Sequence, residues 1–175
     1  DLDTQYRKET VPDVTVLRIG TSGGAQPDVD AGTLGITTYA IGLDSTGLYF
    51  DIPPADETTT RLEHRAKATI DEATVAGSRF AGWVMPYASR ATPEAVDEMV
   101  RAAAACPFKA TTGVTVAAPG FYGAAGRYLE GLKLAVPGIK EATAGIEADG
   151  HRVINFEMES SIIFLLAQAL GWKAC

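Results

Sequence analysis

Residues Val14–Gly24 read VTVLRIGTSGG, and the fold turns on how they are taken. Val14–Ile19 is a short, mostly apolar and β-branched run closed by Gly20, the pattern of a buried strand. Arg18 interrupts it near the carboxyl end. A guanidinium in such a strand is costly unless something negative meets it, so a protein carboxylate or an anionic ligand is expected beside it. The turn Gly20–Gly24 then sets the Thr21 and Ser22 hydroxyls among glycines whose backbone can approach a ligand closely. Arginine, hydroxyls and amides together suit phosphate, which accepts many charge-assisted bonds. The spacing is neither a Walker loop nor a dinucleotide fingerprint. On these residues alone, a glycine turn with an arginine paired to an acid is an equal alternative.

The flanking segments supply the rest of the architecture. Thr33–Ile41, bracketed by glycines in GTLGITTYAIG, reads as a second strand, with Pro27 and Asp28 in the connection. Leu48–Phe50 reads as a short third strand before the Pro53–Pro54 break, and Thr60–Val75 as a helix with a weak apolar pattern. Ala91–Ala105 is a clearer helix: Thr92 is placed to cap it, Pro93 suits the first position, and Ala95, Val96, Met99, Val100 and Ala103 recur at helical spacing. Thr111–Ala117 is a strand, Pro137–Ala148 a helix and Val153–Phe156 a short strand. Ser160–Leu170, SSIIFLLAQAL, is an apolar helix stopped by Gly171, and GWKAC looks like the start of another strand rather than a finished terminus. Strands alternating with helices predict an α/β fold with a mixed, mostly parallel sheet, whose ligands gather at strand carboxyl ends.

Composition narrows the function. The chain has 175 residues and a net charge of −7, which disfavours a nucleic-acid footprint while leaving room for a local cationic pocket. No apolar run reaches membrane-spanning length, and nothing near Asp1 resembles a signal peptide. Cys106 and Cys175 form neither a metal-ligand spacing nor a disulfide framework, which predicts no metal and a reducing, cytoplasmic setting. His64 and His151 lie in polar surroundings and read as solvated; Asp28–Asp30 and Asp56–Glu57 read as solvated acidic loops.

Two more stretches carry chemistry. Pro119–Arg127, PGFYGAAGR, sets Phe121 and Tyr122 in a glycine-rich loop with an arginine. Phe121 would stack on a flat ring and Arg127 donate to its carbonyl oxygens; the alternative is a loop whose aromatics plug the core edge. Asn155–Ser160, NFEMES, puts Glu157 and Glu159 just before the apolar helix. A carboxylate there stays ionised and accepts two hydroxyl bonds at once, as a ribose diol requires; capping acids that neutralise an arginine are the alternative.

In order, RIGTSGG, APGFYGAAGR and NFEMESS resemble the uridine phosphorylase branch of the nucleoside phosphorylase family, and QPDVDAGTLGITTYAIGLD extends the likeness. It covers most of Val14–Cys175, weakly over Asp51–Arg90. The resemblance implies a three-layer phosphorylase/hydrolase-like fold over residues 1–175 as a single domain. It implies phosphorolysis of a uridine-like nucleoside to free base and ribose 1-phosphate, with phosphate as co-substrate and no cofactor. By position, Arg18, Thr21, Ser22 and Gly20 would hold phosphate. Phe121, Arg127, Gly23 and Glu157 would meet the base, and Thr21, Met158 and Glu159 the ribose, with Arg18 and Glu159 the catalytic pair. The family's pyrimidine-reading glutamine is Ala125 here, which opens the pocket to other bases. The family also has an N-terminal Gly-Asp-Pro phosphate loop and a C-terminal strand and helix that these residues lack, and it assembles dimers into hexamers. A partial chain is therefore expected. Two further readings are a nucleosidase of the same fold, which has no need of Arg18, and a nucleoside-binding domain without activity.

Overall fold

The computed structural model describes residues 14–175, so the polar opening Asp1–Thr10 lies outside the described residues. Among the described residues, eight strands and four α-helices follow in the order β1 (Thr15–Val16), β2 (Gly23–Gly24), β3 (Leu34–Gly42), α1 (Glu57–Ala73), β4 (Tyr87–Arg90), α2 (Pro93–Ala104), β5 (Ala110–Ala117), α3 (Ile139–Ala144), β6 (Glu147–Ala148), β7 (His151–Glu157), α4 (Ser160–Leu170) and β8 (Lys173–Ala174). The main sheet runs β2-β7-β5-β3-β4, with β6 attached to β7, and β1 pairs separately with β8. The three central strands are parallel and the strands at both edges antiparallel. The sheet is thus mixed, with its parallel character confined to the middle.

Period-two alternation along the central strands builds three layers. Tyr39, Ile41, Val114 and Val116 face one side, where they pack on Leu62, Ala66 and Ile70 of α1 and on Ile139 of α3. Ala40 faces the other side and packs with Phe164 and Ala167 of α4, joined by Val96 of α2. Burying each such large side chain is worth about 2 kcal/mol, so the two faces together hold the sheet in place. α1 starts at Asp56, whose carboxylate accepts the Thr59 N–H at 2.8 Å and the Tyr39 hydroxyl at 2.9 Å and pairs with Arg90 at 3.0 Å. Asp56 is therefore a built cap rather than a solvated acid.

The Val14–Ile19 expectation fails in an informative way. Only Thr15 and Val16 form a ladder, parallel to Lys173 and Ala174, while Leu17 is 49% and Ile19 84% exposed. Strand-forming residues fit a pleated surface, but a strand exists only where a partner lies alongside. The partner here is the start of a strand seen in GWKAC; Thr92 braces it by accepting the Ala174 N–H at 2.9 Å instead of capping its own helix.

Leu48–Phe50 is not a strand either. Asp44 accepts the Thr46 N–H at 2.7 Å and turns the chain into a 3-10 helix over Thr46–Tyr49. The helix expected over Pro137–Ala148 stops at Ala144, because Glu147–Ala148 folds back on β7 through Asp149-Gly150, both at positive φ. That Asp-Gly pair is the usual signal of a two-residue hairpin. β4, Tyr87–Arg90, has no strand signal in its sequence and arises by pairing with Tyr39–Gly42. His151 is not simply solvated: its Nδ1 lies 3.0 Å from the Thr38 hydroxyl and its ring packs edge-on against Tyr39 at 4.7 Å.

Candidate functional site

Because β3, β5 and β7 are parallel and pair Gly42 with Ala117 and Ala117 with Glu157, past a register shift in each ladder, all three strands end at the same edge of the sheet. Two of the stretches marked by sequence leave from that edge: the loop after β5 and the Glu157–Ser160 junction after β7. The third reaches it because β2 runs antiparallel to β7, setting Gly23 opposite Phe156 and Gly24 opposite Asn155. The three stretches, 141 residues apart from Arg18 to Glu159, enclose a cleft of about 480 Å³. Arg18, Thr21 and Ser22 line one end; Phe121, Ala125 and Arg127 the other; Gly23, Glu157, Met158 and Glu159 run between them. Gly20 faces an adjoining groove of about 450 Å³ that shares Arg18, Thr21, Ser22 and Glu157 with the cleft.

Arg18 is met by carboxylates. Its Nη2 lies 2.6 Å from Glu159 Oε2 and its Nε 3.4 Å from Glu157 Oε2. The guanidinium folds back over Gly20, where a Cβ would stand 2.8 Å from Nη1, so this arginine pose needs glycine two residues on. The Glu157 side chain is 2% exposed and caps α4, accepting the Glu159 N–H at 2.8 Å and the Ser160 N–H at 3.1 Å. Burial pushes the Glu157 carboxyl up from its ordinary value, against the pull of those backbone donors and of Arg18. Glu159 goes the other way. Its hydrogen bond from Arg18 holds its carboxyl below the usual range, and half of its side chain is open to the cleft. One carboxylate is thus fixed in the scaffold, and its neighbour is ionised and accessible.

The opposite end is built from a tight loop. Tyr122 O accepts both the Ala125 and the Arg127 N–H at 2.9 Å, and Gly126 turns at φ 72°, where a side chain is strained. This aims Arg127 over Phe121, its Cζ 3.5 Å from the ring centroid, with Tyr122 edge-on to the same ring at 5.6 Å. Phe121 keeps 57% of its surface exposed, so its aromatic face is not consumed in plugging the core.

Lys140 and Glu141, from the start of α3, also line the cleft beside Gly126 and Arg127. No sequence signal marks them, since only packing brings α3 against the loop. Asn155 is a second omission, and a signal did exist: a polar amide among Val153, Ile154 and Phe156 in a buried strand must be bonded to something. Among the described residues no cluster of His, Cys, Asp and Glu could hold a metal ion, and no helix is long and apolar enough to cross a membrane.

Comparison with known proteins agrees with this fold. The family model for the phosphorylase superfamily matches residues 10–175. A uridine phosphorylase from Haemophilus influenzae is 29% identical over 164 residues, 91% of this chain and 50% of that protein. A crystal structure of a Trypanosoma brucei nucleoside phosphorylase, described as showing uridine phosphorylase activity, superposes with a TM-score of 0.74 at 30% identity, over 91% of this chain and 51% of that one. A Schistosoma mansoni uridine phosphorylase in complex with thymine shares the fold at a TM-score of 0.59 and 18% identity, over 99% of this chain and 51% of that one. The chain therefore spans about half the length of the relatives it matches. Fold and comparisons converge: the chain belongs to the phosphorylase superfamily, and uridine phosphorylases are among the relatives it matches.

Proposed function

We propose that this chain carries the substrate-handling part of a nucleoside phosphorylase, cleaving a pyrimidine nucleoside with inorganic phosphate to free base and ribose 1-phosphate. One observation carries the reading: a single cleft has a cation and two hydroxyls at one end, an aromatic face with an arginine at the other, and an ionised carboxylate between. In this reading phosphate, the co-substrate, takes Arg18, Thr21, Ser22 and the turn begun by Gly20. The ribose lies over Met158, with its hydroxyls on Glu159 and near Thr21. The base stacks on Phe121 beside Gly23, its carbonyl oxygen on Arg127, with Glu157 in support. The reaction calls on no cofactor.

The chemistry follows from where charge develops. Breaking the glycosidic bond builds positive charge on the sugar and negative charge on the departing base. Phosphate beneath the sugar and Glu159 on its hydroxyls stabilise the first; Arg127 stabilises the second. Holding phosphate against the anomeric carbon makes attack effectively unimolecular, with no covalent enzyme intermediate. The Arg18–Glu159 pair at 2.6 Å opens as each group changes partner, Arg18 to phosphate and Glu159 to ribose. Arg18 also weighs against the nucleosidase reading, since attack by water needs no cation under the sugar. Ala125 favours tolerance for the base, because no side-chain amide there is left unpaired by a different ring edge.

A homo-oligomer of dimers, up to a hexamer, belongs to the same proposal, as does a cytoplasmic setting. Exposed large apolar side chains such as Ile19 and Trp83 give subunits something to bury, and light scattering measures the assembly. The activity test is base release from uridine, thymidine and inosine by full-length protein, with and without phosphate. Release that requires phosphate supports the proposal. Release without it favours the nucleosidase, and binding without release favours a non-catalytic domain.

A further inference from the structure

A line of side-chain hydrogen bonds runs from the middle of the sheet to the anion end of the cleft. Thr37 Oγ1 on β3 lies 2.7 Å from Thr115 Oγ1 on β5. Thr115 Oγ1 donates to Asn155 Oδ1 on β7 at 2.6 Å, and Asn155 Nδ2 donates to Ser22 Oγ at 2.8 Å. Thr115 is fully buried and Asn155 nearly so. A Cβ at Gly35 would stand 3.1 Å from Asn155 Nδ2, so the slot for the amide is closed on that side by backbone.

Proton bookkeeping gives the line a direction. A hydroxyl has one proton and two lone pairs. Thr115 spends its proton on Asn155, so Thr37 must donate to Thr115. The Asn155 oxygen is taken, so its NH2 faces Ser22, and Ser22 uses a lone pair there. The Ser22 proton is then free to point into the cleft.

We infer that Asn155 is a positioning residue that fixes Ser22 as a hydrogen-bond donor toward the anion, with Thr115 and Thr37 fixing Asn155 in turn. The inference rests on the phosphate reading of the cleft and adds to it a reason why the hydroxyl presents a proton rather than a lone pair. A donor oriented before the ligand arrives loses no freedom on binding, and a hydroxyl free to rotate would repel the anion in part of its orientations.

The test is calorimetric titration of full-length protein with inorganic phosphate, together with KM for phosphate and for nucleoside. Ser22→Ala and Asn155→Ala are each expected to weaken phosphate about tenfold, the loss of one hydrogen bond to a charged group, and to leave the nucleoside KM unchanged. The double variant should be no weaker than either single one, because both remove the same donor. Thr115→Val should weaken phosphate and Thr115→Ser restore it, which guards against misfolding of the Asn155 variant. A folded Asn155→Ala protein that binds phosphate as wild type does, additive Ser22 and Asn155 effects, or equal losses for both substrates would overturn the positioning role alone. Wild-type protein that binds no phosphate would overturn the reading of the cleft as well.

Discussion

The two ends of the cleft are held in different ways. At the Arg18 end, that arginine is clasped by two carboxylates, Glu157 is bonded into the start of α4, and Ser22 is tied through Asn155 to the middle of the sheet. At the Phe121 end, Phe121 and Arg127 hang on a loop closed by its own backbone turns, and their chief partners are each other. Long-range bonds tie the first end to the sheet, and local turns alone hold the second. Under the proposed function, loop residues at the second end are where preference for the ring would change.

The largest expected effect tests the Arg18 end. Arg18→Gln should lower kcat/KM for phosphorolysis by about 3 kcal/mol, the usual consequence of losing one preorganised donor, with the loss read at saturating nucleoside. Next comes Phe121→Ala, expected to raise the nucleoside KM by an amount equivalent to about 1–2 kcal/mol, a lost stacking face, while phosphate KM holds. An equal rise in both constants would mean that the two ends are coupled. Gly20→Ala probes pose rather than charge. The added methyl displaces the Arg18 guanidinium, so phosphate KM should rise several-fold with little change in Tm, since the clash falls on the free end of a flexible side chain.

Ala125→Gln addresses the Phe121 end from the opposite direction. Supplying an amide should raise the preference for uridine over inosine by up to about tenfold, measured as a ratio of kcat/KM values, without altering phosphate dependence. The smallest effect concerns pH. Because Arg18 holds Glu159 below its ordinary pKa, the stabilisation from their pair is present above the usual glutamate value of about 4.3 and lost as pH falls through the lower folded value. Thermal unfolding of Glu159→Gln should therefore show a shallower acid decline than wild type. An identical decline would mean that the pair contributes nothing measurable, as many exposed pairs do.

The parts of the fold that can be read residue by residue are those whose signal is local. The helix Ser160–Leu170 falls where its apolar run and Gly171 put it, with Gly171 at φ 68°. Thr33–Ile41 and Thr111–Ala117 are strands to within a residue or two at each end. The site stretches are legible because glycine, arginine and paired acids are costly or unusual where they occur. Lys140 and Glu141 are not legible, since nothing near them in sequence says that α3 packs beside Gly126. Leu48–Phe50 was misread because the Asp44 side chain, outside the segment, imposes the turn.

The sequence by itself determined the period of each long element, the α/β class and three stretches set apart by glycines, arginines and paired acids, because those depend on neighbours a few residues apart. Only the tertiary structure decided that Val14–Ile19 pairs over two residues, that the parallel strands end together and so gather the three stretches into one cleft, and that Asn155 points its amide at Ser22. Those depend on which strand lies beside which, and pairing is a property of the assembled sheet rather than of any strand alone.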